Sequence, residues 1–247
     1  MKAIILAAGY ATKLYLLTKN RPKPLLKVGN QTILDSIVEK IVAVKELDEI
    51  FIVTNDKFHT HFEEWAKEAT YGIKLTVIND GTLSNEDRLG ALGDIHFVIE
   101  QAKVEDDLMI AAGDNLFGFS LVDLVSFYKA HEGNAISIYK KDDLKQLIRG
   151  DTANIDENCK IIGFEEKPTN VNYPYAVPTF YIIQKEGLTL FNDYRKEGYN
   201  MDANGTFIPC LLDHSTVYGY VFDEYRYDIG TLESYEQVQK RFANIKD

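Results

Sequence analysis

The sequence predicts an α/β domain with a doubly wound, mostly parallel central sheet. Three observations carry that prediction. Short apolar runs rich in β-branched residues recur at 2–7, 50–55, 74–78 and 108–115, the lengths of buried strands. Stretches with apolar residues at helical spacing separate them, and strand–helix alternation of this kind builds parallel sheets. At 247 residues the chain can bury one large core.

The first strand runs into Ala7-Ala8-Gly9-Tyr10-Ala11-Thr12, a turn of mostly small residues. Small residues let backbone N–H groups approach a ligand closely, and a concave set of such donors suits phosphate. A negative φ at Ala11 is expected to close the loop. Lys13 and Lys23 follow, the second held between Pro22 and Pro24 on a stiffened backbone. A small-residue turn with two placed lysines suits a polyphosphate. The glycine patterns of a P-loop and of a dinucleotide-binding turn are absent, which argues against a nicotinamide cofactor.

Apolar residues at 33, 34, 37, 38 and 41 give the next amphipathic helix. A helix over 58–69 carries His59, His61 and Trp65. Both histidines read as surface or packing residues, because no carboxylate or cysteine stands with them at metal-ligand spacing. The polar loop 79–93 follows the third strand and runs into a helix from about Glu86. Ligands of open α/β sheets lie beyond the carboxyl ends of strands, so this loop should face the same crevice as Gly9. Ser84 or Asn85 acting as a helix cap is the alternative. The fourth strand ends on a carboxylate, Asp114, which the same rule places in the crevice.

Ser120 is expected to cap a helix to His131, before a strand over 135–139. From Asp142 the alternation is less regular, with strands expected at 161–165, 176–181 and 217–222 and helices at 188–197, 207–212 and from Thr231 to Phe242. No Pro/Gly/Ser linker or repeat interrupts the chain. The reading is therefore one domain over 1–247.

Composition narrows the function. Hydrophobic residues at 45% and charged residues at 26% are ordinary for a globular chain. The net charge of −11 argues against nucleic-acid binding on a broad basic face. A few local lysines and a metal can still serve a nucleotide. Cys159 and Cys210 are too few for a disulfide framework or zinc site. No stretch approaches the ~20 apolar residues of a membrane span. No membrane partner and a cytoplasmic location are the default expectations; homo-oligomerisation is left open.

Leu6-Ala7-Ala8-Gly9, Thr12, Leu14, Leu17-Thr18 and Pro22-Lys23-Pro24-Leu25-Leu26 resemble the signature L-A-A-G-x-G-T-R-L-x-P-L-T … P-K-P-L-L of sugar-1-phosphate nucleotidyltransferases. Ala11, Lys13 and Leu16 stand where that pattern has glycine, arginine and proline. Gly113-Asp114 resembles the family's G-D, Glu166-Lys167-Pro168 its E-K-P, and 227–235 its D-x-G-T-P-E-S-Y, with Leu232 for the proline. The resemblance implies a Rossmann-like, GT-A-like fold whose first part, 1–140, mainly binds nucleotide and whose second part, 141–247, mainly binds sugar and completes a metal site. It implies transfer of a nucleoside monophosphate from a triphosphate, dTTP or UTP favoured, to a glucose-1-phosphate-like acceptor.

Site residues follow from the same resemblance. Leu6, Ala7, Ala8, Gly9, Asn85 and Gly90 would contact the nucleotide, and Lys13 and Lys23 would act on its phosphates. Asp114 and Asp228 would hold Mg²⁺. Gly150, Glu166, Lys167 and Thr179 would meet the sugar phosphate, Thr179 adding bulk where relatives have glycine. Lysine at 13 keeps the charge but loses the planar fork that matches phosphate oxygens. Two rivals share these residues: a cytidylyltransferase acting on a phosphorylated alcohol, and a weakly active or regulatory paralogue that binds without turnover.

Overall fold

The computed structural model describes residues 1–140 and 150–243. Its central strand is β1 (Lys2–Leu6), paired in parallel with β4 (Glu49–Thr54) on one edge and β6 (Leu108–Ala112) on the other. β5 (Lys74–Asn79) extends the row in parallel beyond β4. The spatial order is thus third, second, first, fourth in the sequence of these strands, as doubly wound sheets require. Side-chain alternation divides the core in two. Ala3, Ile5, Ile50, Ile52, Met109 and Ala111 face one apolar layer, and Ile4, Phe51, Val53, Leu108 and Ile110 face the other.

The first layer is covered by helices Ile33–Val42 and Leu121–Ala130. Thr32 and Asp35 form a reciprocal capping box at the start of the former, Thr32 Oγ1 accepting from Asp35 N at 3.0 Å and Asp35 Oδ2 accepting from Thr32 N at 2.8 Å. Asp35 Oδ1 also accepts from Trp65 Nε1 and Tyr71 hydroxyl, both at 2.8 Å. One carboxylate therefore fixes helix His59–Glu68 against its neighbour. Ser120 caps Leu121–Ala130, as expected. Helices Ala91–Ala102, Thr189–Lys196 and Phe207–His214 cover the second layer.

The other half of the sheet turns antiparallel. β12 (Phe180–Ile183) pairs with β6 and β8 (Asn134–Lys140); β11 (Tyr175–Val177), β9 (Asp151–Ile155) and β10 (Ile161–Glu165) continue outward. β13 (Val217–Val221) lies parallel to β8. The single strand expected over 176–181 is two strands. Pro178 cannot donate to a ladder, and the chain changes neighbours there. A small ribbon of β7 (Asn115–Phe117) and β14 (Arg226–Asp228) stands outside the main sheet. The last helix, Leu232–Ala243, is started by Thr231, whose Oγ1 accepts from Ser234 N at 3.1 Å. Among the described residues no helix is long and apolar enough to cross a membrane.

Two further expectations are corrected. The helix after the 79–93 loop starts at Ala91, not near Glu86. The preceding turn is closed by Asp87, which accepts from Ser84 N at 2.7 Å and Leu83 N at 3.1 Å, so neither Ser84 nor Asn85 caps a helix. Ala11 has φ 47°, ψ 43°, in the left-handed region and not at negative φ. A side chain there costs roughly 1–2 kcal/mol. Ala11→Gly should therefore stabilise the protein by about 1 kcal/mol, net of the greater freedom of the unfolded chain. Chemical denaturation checks this, and a lower midpoint for the variant would contradict it.

Candidate active site

Strand order reverses between β1 and β6, and a cleft of about 370 Å³ opens beyond their carboxyl ends. Leu6, Ala7, Gly9 and Ala11 form one wall; Lys23, Asp114 and Asp228 stand at its base with Asn115 and Arg226. Thr179 and Ala91 complete the rim. The loop after β1 is anchored by side chains from below. Asn55 Nδ2 donates to Ala8 O at 2.7 Å, Thr18 Oγ1 donates to Ala11 O at 2.9 Å, and Tyr10 hydroxyl bonds Thr82 Oγ1 at 3.1 Å. Among the described residues the N–H groups of Gly9, Tyr10 and Ala11 have no partner. A run of open amides beside a left-handed residue is an anion-binding concavity.

Asp114 sits in the turn between β6 and β7, because the fourth strand ends at Ala112 and not at Asn115. Gly113 N donates to Leu6 O at 2.9 Å, tying that turn to the end of β1. Lys23 Nζ donates to Asp114 Oδ2 at 2.7 Å, and its side chain is only 12% exposed. Asp228 arrives on β14, opposite Asn115, with Ile229 N donating to Asp114 O at 3.2 Å.

Burial pushes the Asp114 carboxyl up, but the Lys23 ammonium, the Arg226 guanidinium and the Asn115 amide together hold it below its ordinary value. Asp228 is raised, by burial and then by the Asp114 charge, against the opposing fields of Arg226, Lys23 and Lys13. Two carboxylates of opposite shift in one cleft suit a hard divalent cation. Among the described residues no cluster of three or more metal-ligating His, Cys, Asp or Glu occurs. That donor set fits Mg²⁺, which keeps waters and takes one or two carboxylates plus substrate phosphate. Asn115 Oδ1, buried and unpartnered among the described residues, adds a neutral oxygen beside the pair.

Other expected residues lie at the margin. Lys13 is exposed on the short 3₁₀ turn Thr12–Leu14, outside the cleft wall but near enough for its charge to reach Asp228. Gly90, φ 80°, precedes the rim residue Ala91; a Cβ there would run into the Asp202 backbone, so packing requires this glycine. Asn85 is held in the turn, its carbonyl accepting from Arg88 Nη1 at 2.6 Å, and does not line the cleft. Glu166 and Lys167 follow β10 as a mutual pair at 3.3 Å, away from the cleft wall. Gly150 has open space around it.

Sequence reasoning missed Asn55 and Arg226. Asn55 is signalled by a polar residue directly after the second strand, and Arg226 by its two-residue spacing from Asp228, which puts both on one face of a strand. It also missed a buried carboxyl pair below the loop. Asp80 Oδ1 accepts from Thr82 N at 2.7 Å and Thr82 Oγ1 at 2.8 Å, while its Oδ2 and Asp94 Oδ1 meet no donor among the described residues. A proton held between the two carboxyls would satisfy them both. Burial, then the Asp80 charge and hydrogen bond, push Asp94 up to about 8.

An acid that stays protonated when folded and ionises when unfolded lowers stability as pH rises between its two pKa values. For Asp94 that window runs from the ordinary aspartate value of 3.8 to about 8. Each pH unit within it is worth at most about 1.4 kcal/mol. The wild-type melting temperature should fall from about pH 5 to about pH 8, and Asp94→Asn, whose carboxamide donates to Asp80 at any pH, should flatten that fall. Parallel pH profiles for the two proteins would refute the shared proton.

Comparison with known proteins adds the family. The nucleotidyl transferase family matches residues 2–244. A glucose-1-phosphate adenylyltransferase of Clostridium novyi is 25% identical over the whole chain and 68% of its own length. A UTP–glucose-1-phosphate uridylyltransferase of Synechocystis is 24% identical over 96% of the chain and 62% of its length. The chain thus spans about two thirds of these relatives. Among solved structures, a Bacillus anthracis protein assigned as a glucose-1-phosphate thymidylyltransferase, in complex with a sucrose, superposes with TM-score 0.83 at 24% identity, covering 100% of this chain and 97% of that one. A UDP-glucose pyrophosphorylase complexed with UDP-glucose gives TM-score 0.84 at 17% identity over 99% of both chains. With the strand order and the acidic cleft already in place, the match over 2–244 makes this chain a member of the nucleotidyl transferase family.

Proposed function

We propose that the chain transfers a nucleoside monophosphate from a triphosphate, UTP or dTTP, to a glucose-1-phosphate-like acceptor and releases pyrophosphate. The observation that carries this reading is the meeting of an open-amide loop, Lys23 and the Asp114–Asp228 pair in one cleft. Glucose 1-phosphate in the names of three similar proteins supports the acceptor class; three names carry a pyrimidine nucleotide and one an adenylyl group, so the base rests on the panel below.

In the reaction an acceptor phosphate oxygen bonds to the α-phosphorus as the bond to the bridging α–β oxygen breaks, and pyrophosphate leaves with that electron pair. The attacking oxygen is already ionised at neutral pH, so the protein needs no general base. Positioning and charge neutralisation do the catalytic work. The amides of Gly9, Tyr10 and Ala11 cradle triphosphate oxygens. Asp114 and Asp228 would hold Mg²⁺, which when bound neutralises phosphate charge and orients the α-phosphate. Lys23, held against Asp114, presents its ammonium toward the α-phosphate, and Lys13 offers charge to the leaving pyrophosphate from the rim. Leu6, Ala7 and Ala8 support the nucleotide side, with Asn85 and Gly90 toward the base. Gly150, Glu166, Lys167 and Thr179 serve the sugar side.

Pyrophosphate release over a panel of UTP, dTTP, ATP and CTP with sugar 1-phosphates tests the reading. Turnover is expected with a pyrimidine triphosphate and glucose 1-phosphate, and release with a phosphorylated alcohol alone would reject it. Asp114→Asn and Asp228→Asn should each lower the rate by roughly 10²-fold or more while leaving the circular dichroism spectrum unchanged. Lys13→Arg probes the departure at the rim. A guanidinium offers two parallel donors where the ammonium offers a point charge, so kcat should rise roughly several-fold with little change in the acceptor KM. An unchanged or lower kcat would mean that the loop has adapted to lysine.

A further inference from the structure

Arg226 is a half-buried cation that pairs with no acidic group among the described residues, in a cleft where the other inner cation is already committed. Lys23 is held by Asp114 at 2.7 Å. Among the described residues Arg226 forms no ion pair within 4.0 Å; its Nη1 donates to the Tyr139 hydroxyl at a long 3.4 Å, and its buried Nε has no partner. A guanidinium carries five donors in a planar fork, so most of its capacity is unused. Asp114 and Asp228 feel its charge without pairing with it, so its donors stay open, and an anion is the group that fills them.

Its position says which anion. Arg226 and Asp228 are two apart on β14, so both point to the cleft while Tyr227 turns away to pack on Phe242. Besides the two cleft carboxylates, Arg226 touches Tyr139 on β8 and its charge reaches Tyr181 on β12, both on the antiparallel half of the sheet. The open-amide loop after β1 belongs to the parallel half. Lys167, expected from the resemblance to meet the sugar phosphate, is 59% exposed and paired with Glu166.

The geometry points to Arg226 as the residue that grips the phosphate of the acceptor substrate, from the side of the cleft opposite the triphosphate loop. This rests on the function proposed above. A fork on two phosphate oxygens would fix the acceptor's third oxygen toward the α-phosphorus, and the same guanidinium would offset the repulsion between that phosphate and Asp228.

The test compares wild type with Arg226→Gln and Arg226→Lys. Loss of a charge-assisted hydrogen-bonding group should raise the acceptor KM by roughly tenfold to a hundredfold in Arg226→Gln, leaving the triphosphate KM within about twofold. Arg226→Lys should recover only part of it, since a point charge cannot reproduce the fork. A second readout needs no turnover: glucose 1-phosphate and inorganic phosphate should each raise the melting temperature of the wild type and not of Arg226→Gln. Turnover with an unchanged acceptor KM, or an equal rise in both KM values, would overturn the assignment and leave the proposed function standing. A phosphate-dependent shift lost in Arg226→Gln, in a wild type that turns over no substrate pair, would reject that function and keep the anion site. The absence of both turnover and phosphate-dependent shift would reject the two together.

Discussion

The constraint on which the rest depends is that β1 is paired in parallel on both edges and buried on both faces. A strand so placed has no side on which to carry charge, and its chemistry is forced to its carboxyl end. β4 and β6 run the same way, so their ends open on the same side. The Gly113–Leu6 backbone bond then welds the end of β6 to that of β1, which sets Asp114 above the central strand. Lys23 reaches the same point from the Pro22–Pro24 segment. The ion pair between them joins the Pro22–Pro24 segment to the turn after the fourth strand.

The antiparallel half completes the cleft through a device of its own. Pro178 and Thr179 let the chain step from β11 to β12, and Thr179 O accepts from Ala112 N at 3.0 Å at the edge of the cleft. The outer ribbon of β7 and β14 then returns Asp228 to Asp114 from more than a hundred residues away in sequence. A chain of net charge −11 so builds a site where cations from three separate segments, Lys13, Lys23 and Arg226, surround two carboxylates. Local arrangement outweighs the global field at this range, because a charge a few ångströms away in a sheltered cleft acts far more strongly than many across solvent.

Much of this was legible in the sequence. The buried strands announced themselves by β-branched runs, the helix Ile33–Val42 by its apolar spacing, and Asp114 by its place after the fourth strand, whereas Asp228 came from the resemblance alone. What stayed hidden depended on contacts between distant segments. The start of the helix after β5 was misplaced because Asp87 folds the turn back on Leu83 and Ser84, while Gly90 is required by Met201 and Asp202, far along the chain. Arg226 reads as an ordinary surface cation until β14 is seen to pair with β7. Asn85, Glu166 and Lys167 were named by resemblance, and their local bonds place them outside the ligand-free cleft wall.

Ala11 shows how a local rule can be broken and still fold. A glycine would reach the left-handed conformation without strain, yet alanine is held there. The hold comes from outside the loop: Thr18 hydroxyl on the Ala11 carbonyl, Asn55 amide on the Ala8 carbonyl, and Tyr10 hydroxyl on Thr82, which in turn rests on Asp80. Each anchor is a buried polar group whose release would leave a donor or acceptor unsatisfied, and that penalty is comparable to or larger than the strain at one residue. The loop's shape is therefore set by three side-chain anchors, Thr18 and Asn55 from outside it and its own Tyr10 reaching Thr82, and not by its own flexibility. Amides positioned in this way before any phosphate arrives need no reorganisation when it binds, which is the property an electrostatic catalyst requires.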